Sequence, residues 1–405
     1  MPASQDIIIA GGGLVGLTLA VAVRKAAPSL SVTVFDGAPP GRREDGRASA
    51  IAAAARRMLQ QLGLWNGVAA DAQPITEMTV TDSRTDDVVR PVFLTFDGAL
   101  EDGEPFAHMV PNGLLLDALG EAARAAGATV VAPAAVTDYA VDGHAVTVTR
   151  GDGGTAKARL LVAADGVRSR LRALSGIRTV THDYPQVGIV VTVAHERPHH
   201  GRAEEHFLPG GAFAILPLAG NRSSLVWTEK TAIGEALVAA DDATFAAELE
   251  KRFGHRLGAI RVEGRRSLFP IGVTLVRDFV RPRFALAGDA AHGIHPLAGQ
   301  GLNLGFRDVA ALAETVVDAA RLGLDIGAVD VLERYQRWRR FDTLEMTVLT
   351  DALNRLFSND NPVLRLVRDV GLGLVDRVPA LKRMMIGEAA GDSAAAPRLL
   401  RGEAI

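Results

Sequence analysis

The chain has 405 residues and a formal charge of −3, from 44 Lys and Arg against 47 Asp and Glu. With 48% hydrophobic, 22% charged and 5% aromatic residues, it has the composition of a globular protein that buries a core without staples, and its length predicts two domains or one large domain with insertions. It contains no Cys, which excludes disulfides, thiolate metal sites, iron–sulfur clusters and Cys nucleophiles, and its mild negative charge offers no field for nucleic acid.

Residues 7–23 carry no charge and invite a signal or membrane reading. Asp6 precedes them, no Lys or Arg does, and a Gly cluster interrupts them, so they read as strand, turn and helix instead. In chain order, residues 6–10 predict a buried strand, Gly11 to Gly16 a tight turn, 17–27 a helix closed by Pro28, and 31–36 a second, β-branched strand. That βαβ unit implies a parallel sheet. A helix is predicted over 48–62, short strands over 76–95 with a turn at Asp86-Asp87, and a helix over 112–126 ended by Gly127. Strands follow at 129–131, 136–141, 145–149 and 160–164. A mostly antiparallel sheet is expected from 186–228, with strands at 187–193, 213–218 and 225–228. A helix at 242–253, a strand at 284–287 and a largely helical remainder from Gly299 complete the pattern. No linker separates the two kinds of structure, so the domains are expected to interleave.

Three segments carry chemistry. In Gly11-Gly12-Gly13-Leu14-Val15-Gly16, Gly11 allows the turn, Gly13 lets a pyrophosphate approach the backbone, and Gly16 lets helix and strand pack closely, while the N–H groups of the helix start, Leu14 and Val15 among them, face the phosphates. Asp36, at the end of the next strand, is placed to accept from a ribose 2′-OH, which favours FAD or NAD over NADP. The second segment ends a strand in Asp165-Gly166; alone, it reads as an ordinary turn before an N-capped helix, with Ser169 and Arg172 on one face. In the third, a strand delivers Gly288-Asp289 to a loop that ends at Gly299-Gln300-Gly301-Leu302-Asn303, the start of a helix whose residues Leu302, Phe306, Val309, Ala313 and Val316 form a buried face.

Taken in this order and spacing, these motifs resemble the single-component FAD-dependent aromatic hydroxylases of the para-hydroxybenzoate hydroxylase-like fold, over nearly the whole chain. The run from Gly288 to Asn303 and the segment from Leu349 to Asn361 are similar to the ubiquinone-biosynthesis branch, with Gly293 where that branch often has Thr. The resemblance implies an α/β fold, mixed with α+β character: a Rossmann-like FAD domain (1–75, 100–180 and 271–345), an antiparallel-sheet substrate domain (76–99 and 181–270) and a helical C-terminal segment (346–405). It implies that Gly11, Gly13 and Gly16 hold the FAD pyrophosphate, that Asp36 binds the adenosine ribose, and that Arg47, Asn112 and Val136 contact the cofactor. Asp165 and Gly166 would serve FAD and the incoming nicotinamide. Asp289, after Gly288, would bind the ribityl chain, and Pro296 and the N–H groups of Gly299, Gly301, Leu302 and Asn303 would face the isoalloxazine.

His292, His295 and Pro296 are the candidates for a catalytic place, since His transfers protons at neutral pH; the histidines also read as packing features of the loop. The His199-His200 pair, near His195 and His206, lacks the accompanying carboxylate or Cys pattern of a metal site and reads as a solvated turn, and no metal is expected. Phe213 and Trp227 read as core. Residues 362–386 combine apolar residues with five basic and two acidic ones, a pattern for packing on the body or for docking at a membrane or partner complex.

What the resemblance implies for activity is FAD-dependent aromatic monooxygenation: NAD(P)H reduces FAD, O₂ forms a C4a-hydroperoxide, and one oxygen goes to the ring of a polyprenylated phenol in ubiquinone biosynthesis. A small soluble aromatic substrate and a catalytically silent flavin-binding scaffold are the alternatives. The expected setting is cytoplasmic, with peripheral placement on the inner face of the membrane and a homo-oligomer both allowed.

Overall fold

The computed structural model describes residues 5–39, 46–82, 92–97, 99–100, 103–294, 299–357, 387, 390–391 and 395–405. The chain opens with β1 (Gln5–Ala10), α1 (Leu14–Ala26) and β2 (Val32–Phe35), then β3 (Ala48–Ala52), α2 (Ala53–Gln61), β4 (Gln73–Ile75), β5 (Glu77–Asp82), β6 (Val92–Asp97), β7 (Ala107–Pro111) and α3 (Asn112–Ala125). Next come β8 (Thr129–Val131), β9 (Val136–Asp142), β10 (Ala145–Arg150), β11 (Thr155–Ala163), α4 (Arg170–Leu174), β12 (Thr179–His195), β13 (Arg202–Leu208), β14 (Gly211–Leu218) and β15 (Arg222–Lys230). The last group is α5 (Thr231–Ala239), α6 (Asp242–Phe253), β16 (Ile260–Val276), β17 (Val280–Arg281), β18 (Phe284–Leu286), β19 (His292–Gly293), α7 (Gly301–Arg321) and α8 (Val329–Phe357).

The first sheet is ordered β17-β18-β11-β1-β2-β8, with β9 and β10 attached to β11. Its central strands β18, β11, β1, β2 and β8 are parallel. Parallel strands are buried on both faces, and Ile7, Ile8 and Ile9 are at most 1% exposed. Each such side chain contributes about 1.5–3 kcal/mol on leaving water. Helix α1 packs against α3 and α7. The mixed α/β fold with one largely parallel sheet and a second, mostly antiparallel sheet is as expected.

The second sheet runs β19-β16-β12-β15-β14-β13-β5-β6. Every pairing in it is antiparallel except β13 with β5. Period-2 alternation divides its residues between two faces. The outer face presents Ile189, Phe213, Ile215, Leu225 and Trp227, which form one cluster with Phe245, Leu249 and Phe253 of α6; Phe213 and Trp227 are core, as expected. The inner face presents Gly188, Thr228, Ala212 and Phe207 in one row and Val226, Ala214 and Glu205 in the next. A third, small sheet, β3-β7-β4, packs its Ala48, Ala50 and Met109 against Ala203 and Leu216 of that inner face.

Several elements were not expected from the sequence, β4, β7 and α5 among them, and three further differences have a visible cause. Residues 48–62 are strand β3 followed by α2, not one helix: the alanines there fit both periods, and pairing with β7 decides the first five. Strand β13 was not expected because Arg202, Glu204, Glu205 and His206 break the apolar alternation; it sits inside the sheet with Glu204 paired to His206 at 3.3 Å and to Arg256. Strand β16 is similarly masked by Arg261, Glu263, Arg265 and Arg266.

Candidate functional site

The motif loops converge because they follow parallel strands. Gly11 follows β1, Asp36 follows β2, Asp165 lies just past β11, and Gly288 lies just past β18. All four stand at the carboxyl edge of the sheet, where β1 has β2 on one side and β11 on the other, the place where such sheets bind ligands. Ladder bonds extend into the loops: Gly11 N–H donates to Phe35 O at 2.8 Å, Ala164 N–H to Ala10 O at 2.8 Å, and Ala287 N–H to Ala163 O at 3.0 Å.

Gly11 has φ 115°, and a Cβ there would lie 2.1 Å from Ala164 O; a Cβ on Gly16 would lie 2.0 Å from Gly11 O. A Cβ placed on Gly13, by contrast, would meet nothing of the described residues within 4 Å. It is the N-cap of α1 and makes no side-chain cap, so the first N–H groups of the helix face an open cradle. Val15 reaches the other way, into the space left by Gly288 and Gly305, and ties α1 to the start of α7. Asp36 sits over Gly12 and accepts from Ala38 N–H at 3.1 Å. Its backbone oxygen accepts from Ala134 N–H at 2.6 Å, which lays the chain leading to Val136 alongside.

Asp165 accepts from Leu171 N–H through one oxygen at 3.4 Å, and its other oxygen is buried without a partner among the described residues. Ser169 caps α4 by accepting from Arg172 N–H at 3.0 Å, and the Arg172 guanidinium donates to Ala290 O at 2.9 Å, so this turn braces the Gly288 loop. Asp289 is open to the cleft and its carboxylate makes no hydrogen bond among the described residues. Surrounding protein pushes its carboxyl above the ordinary value, His292 and Arg47 pull against that shift, and Asp308 adds to it. Arg47 lies over the Phe269 ring, 5.2 Å from its centroid, linking the cleft to the inner face of the substrate sheet. Asn112 accepts from Ser49 Oγ at 2.7 Å, on the same β3 side of the cleft.

The start of α7 has no side-chain cap bond, and nothing lies within 4 Å of a Cβ placed on Gly301. Asn303 turns its amide inward, accepting from Ala52 N–H at 3.0 Å and donating to Ala50 O at 2.9 Å, so only its backbone remains for a ligand. Gly299 stands against Ala50, and Leu302 is partly buried against the core.

Beneath the loop lies a buried charge cluster that the sequence reading missed. Asp308 is wholly buried, and its carboxylate accepts from Gly288 N–H at 2.7 Å, lies 2.6 Å from His292 Nε2, and accepts from Arg339 Nε at 2.6 Å. Arg339 also bonds Asp342, which takes Arg307 at 2.7 Å. Burial pushes the Asp308 carboxyl up, but His292 and Arg339 outweigh it and hold the group below the usual carboxylate range. The visible signal was a charge one position before Val309 on the buried face of α7. His292 is 1% exposed and faces Asp308 rather than the cleft. His295 and Pro296 lie outside the described residues, as do residues 362–386.

The surface histidine reading needs correction. His199 is 6% exposed, accepts from Gly201 N–H at 2.9 Å and reaches Leu218 O at 2.8 Å. His195 is buried too, between Arg197 O at 2.7 Å and Ser223 Oγ at 3.1 Å. His199 is therefore not a solvated residue, whereas His200 beside it is exposed in the turn, as expected.

An uncapped helix start over an open glycine cradle, a carboxylate at a strand end for each of the two sugars, and a second helix start on the far side fit the pyrophosphate, ribose, ribityl and isoalloxazine parts of FAD. With a largely antiparallel sheet facing that cleft, the fold and site define a flavin-dependent oxidoreductase. A family profile described as "FAD binding domain" matches residues 4–340. The chain belongs to this family and is an FAD-dependent monooxygenase. It is 47% identical to the ubiquinone hydroxylase UbiL of Rhodospirillum rubrum, covering 98% of this chain and 92% of that protein. It is 34% identical to the 3-demethoxyubiquinol 3-hydroxylase of Escherichia coli, covering 95% and 98%. The p-nitrophenol 4-monooxygenase PnpA of Pseudomonas putida shares the fold, with a TM-score of 0.79 and 20% identity over 97% of this chain and 100% of that one. The family resemblance read from the three motifs is borne out. Among the described residues, no helix is long and apolar enough to cross a membrane.

Proposed function

We propose that the protein hydroxylates the aromatic ring of a polyprenylated phenol in ubiquinone biosynthesis, with O₂ as the oxygen source and NAD(P)H as the reductant. The observation that carries this reading is 47% identity over nearly the full length to a ubiquinone hydroxylase. Bound FAD supplies the activation of O₂ and the transfer of one oxygen to an electron-rich ring.

The chain's own residues hold and shape that chemistry. Gly11 and Gly13 admit the pyrophosphate to the N–H groups at the start of α1, and Asp36 accepts from the adenosine ribose. Asp165 and Asp289 accept from the remaining hydroxyls. N–H groups at the start of α7 face the ring system and favour negative charge there on reduction. Asp308 and Arg339 fix the Gly288 loop from below, and His292 is a positioning residue within that cluster. The inner face of the substrate sheet, lined by Gly188, Ala212, Ala214 and Val226, forms the apolar wall that keeps water from the reacting ring.

Quinone profiling of a deletion strain tests this. The expected result is loss of ubiquinone with accumulation of a prenylated ring lacking one hydroxyl, restored by the gene. An unchanged quinone profile overturns the proposal.

A further inference from the structure

Among the inner-face positions of the second sheet named above, one alone carries an ionisable side chain. Glu205 sits on β13 between Ala203 and Phe207, two inner-face neighbours, and pairs laterally with Ala214 and Val80. It is 6% exposed and makes no hydrogen bond or ion pair among the described residues. Its sequence neighbour Glu204 points to the other face, where His206 and Arg256 neutralise it. A carboxyl left inside without a partner costs several kcal/mol, so its retention calls for a ligand or a function.

Its position says which ligand. Ala203, one pleat repeat away on the same face, belongs to the apolar cluster against which Ala50 packs. The Ala50 carbonyl accepts from Asn303, and Gly299 stands against the Ala50 side chain. Glu205 therefore faces the space between the substrate sheet and the start of α7. We propose that Glu205 is a catalytic residue that takes the hydroxyl of the phenolic substrate, accepting its O–H hydrogen bond and so fixing which ring carbon faces the flavin. This rests on the function proposed above and names the group that recognises the substrate.

Three consequences follow from the chemistry. Burial pushes the Glu205 carboxyl up to about 7, so the ionised form is accessible at neutral pH. A carboxylate that accepts from the phenol raises electron density on the ring, which aids attack on an electrophilic oxygen. The same charge repels a benzoate-type substrate, so the site selects a neutral phenol over a ring that carries its own carboxylate.

The test uses the FAD-loaded protein, a short-chain 2-prenylphenol, and that phenol's methyl ether, with binding read from the perturbed flavin spectrum. Wild type is expected to bind the phenol more tightly than the ether. Glu205→Ala is expected to bind the phenol ~10- to 100-fold more weakly, the range for a hydrogen bond to a charged group, with ether binding and FAD content unchanged. Glu205→Gln keeps an acceptor and the side-chain shape; it is expected to recover part of the phenol affinity while kcat stays low, and it stands in for Glu205→Ala if that variant does not fold. Equal preference for phenol over ether in wild type and both folded variants overturns the role of Glu205 while leaving the proposed function intact. Failure of FAD-loaded wild type to bind the phenol overturns the proposed function and this inference with it.

Discussion

Asp308 and His292 face each other at 2.6 Å beneath the Gly288 loop, and neither side chain touches solvent. Arg339 closes the other side of the same carboxylate at 2.6 Å, and the Gly288 N–H takes one of its oxygens. A strand end, a loop and two helices thus meet on one ionised group. Such a cluster holds the cofactor loop in one geometry, because each partner would be left as an uncompensated buried charge or donor if the carboxylate moved.

Asp308→Asn removes the charge and keeps the shape. Arg339 then lies buried against Asp342 alone, and the expected loss of stability is about 3–5 kcal/mol, the range for breaking a buried pair. The folded pKa of Asp308 is depressed, so its contribution is present above the unfolded carboxylate value of about 4 and fades as pH falls through the lower folded value. Urea unfolding should therefore show a wide gap between wild type and Asp308→Asn at neutral pH that narrows in acid. A gap of the same width at both pH values would remove Asp308 from this account.

The sequence made the nucleotide half of this architecture legible because its signals are local. Gly11, Gly13 and Asp36 stand at the strand ends where their spacing puts them, and Gly288-Asp289 follows an unmistakable strand. The substrate half was less visible. Strand β13 carries Arg202, Glu204, Glu205 and His206, which break the apolar alternation, and partners such as Glu77 and Arg256 are distant in the chain, so no window of sequence shows a strand there. Asp308 was hidden for the same reason: its partners His292 and Arg339 are 16 and 31 residues away, and a charge beside Val309 on the buried face of α7 does not by itself reveal which groups meet it there.

Asp289→Ala tests the cofactor side of the cleft. The carboxylate bonds nothing among the described residues, so its removal should leave the apoprotein's unfolding midpoint unchanged. The expected loss is in FAD binding, about 1–3 kcal/mol for hydroxyls left unpaired, or roughly 5- to 150-fold in Kd. Flavin fluorescence titration of the apoprotein measures it. Unaltered FAD affinity would take Asp289 out of the ribityl site.

Gly11 and Gly13 should respond differently to the same substitution. Gly11→Ala places a Cβ 2.1 Å from Ala164 O at a φ of 115°, so strand spacing at the centre of the sheet must give and the protein is expected to misfold. Gly13→Ala meets no protein atom within 4 Å and should fold normally, losing FAD because the new methyl occupies the pyrophosphate cradle. Circular dichroism and flavin content together separate the two. A folded, FAD-replete Gly13→Ala would place the pyrophosphate elsewhere.

His199→Ala probes the substrate sheet away from the cleft. Because Nδ1 accepts from Gly201 N–H, the ring proton sits on Nε2 and is donated to Leu218 O. The bonds fix the turn into β13, where Gly201 O also accepts from Thr76 N–H at 2.9 Å, next to the start of β5. Removing the ring strands one buried donor and one buried acceptor, at about 1–3 kcal/mol for each group left unsatisfied, reduced where water enters the space. The expected variant is folded, several degrees less stable in thermal unfolding, and unchanged in FAD affinity, since no atom of His199 reaches the motif loops. If the ring bound a metal instead, chelator treatment of wild type would lower its Tm to that of the variant; an unaltered wild-type Tm in chelator beside a lowered variant Tm establishes the hydrogen-bonding role.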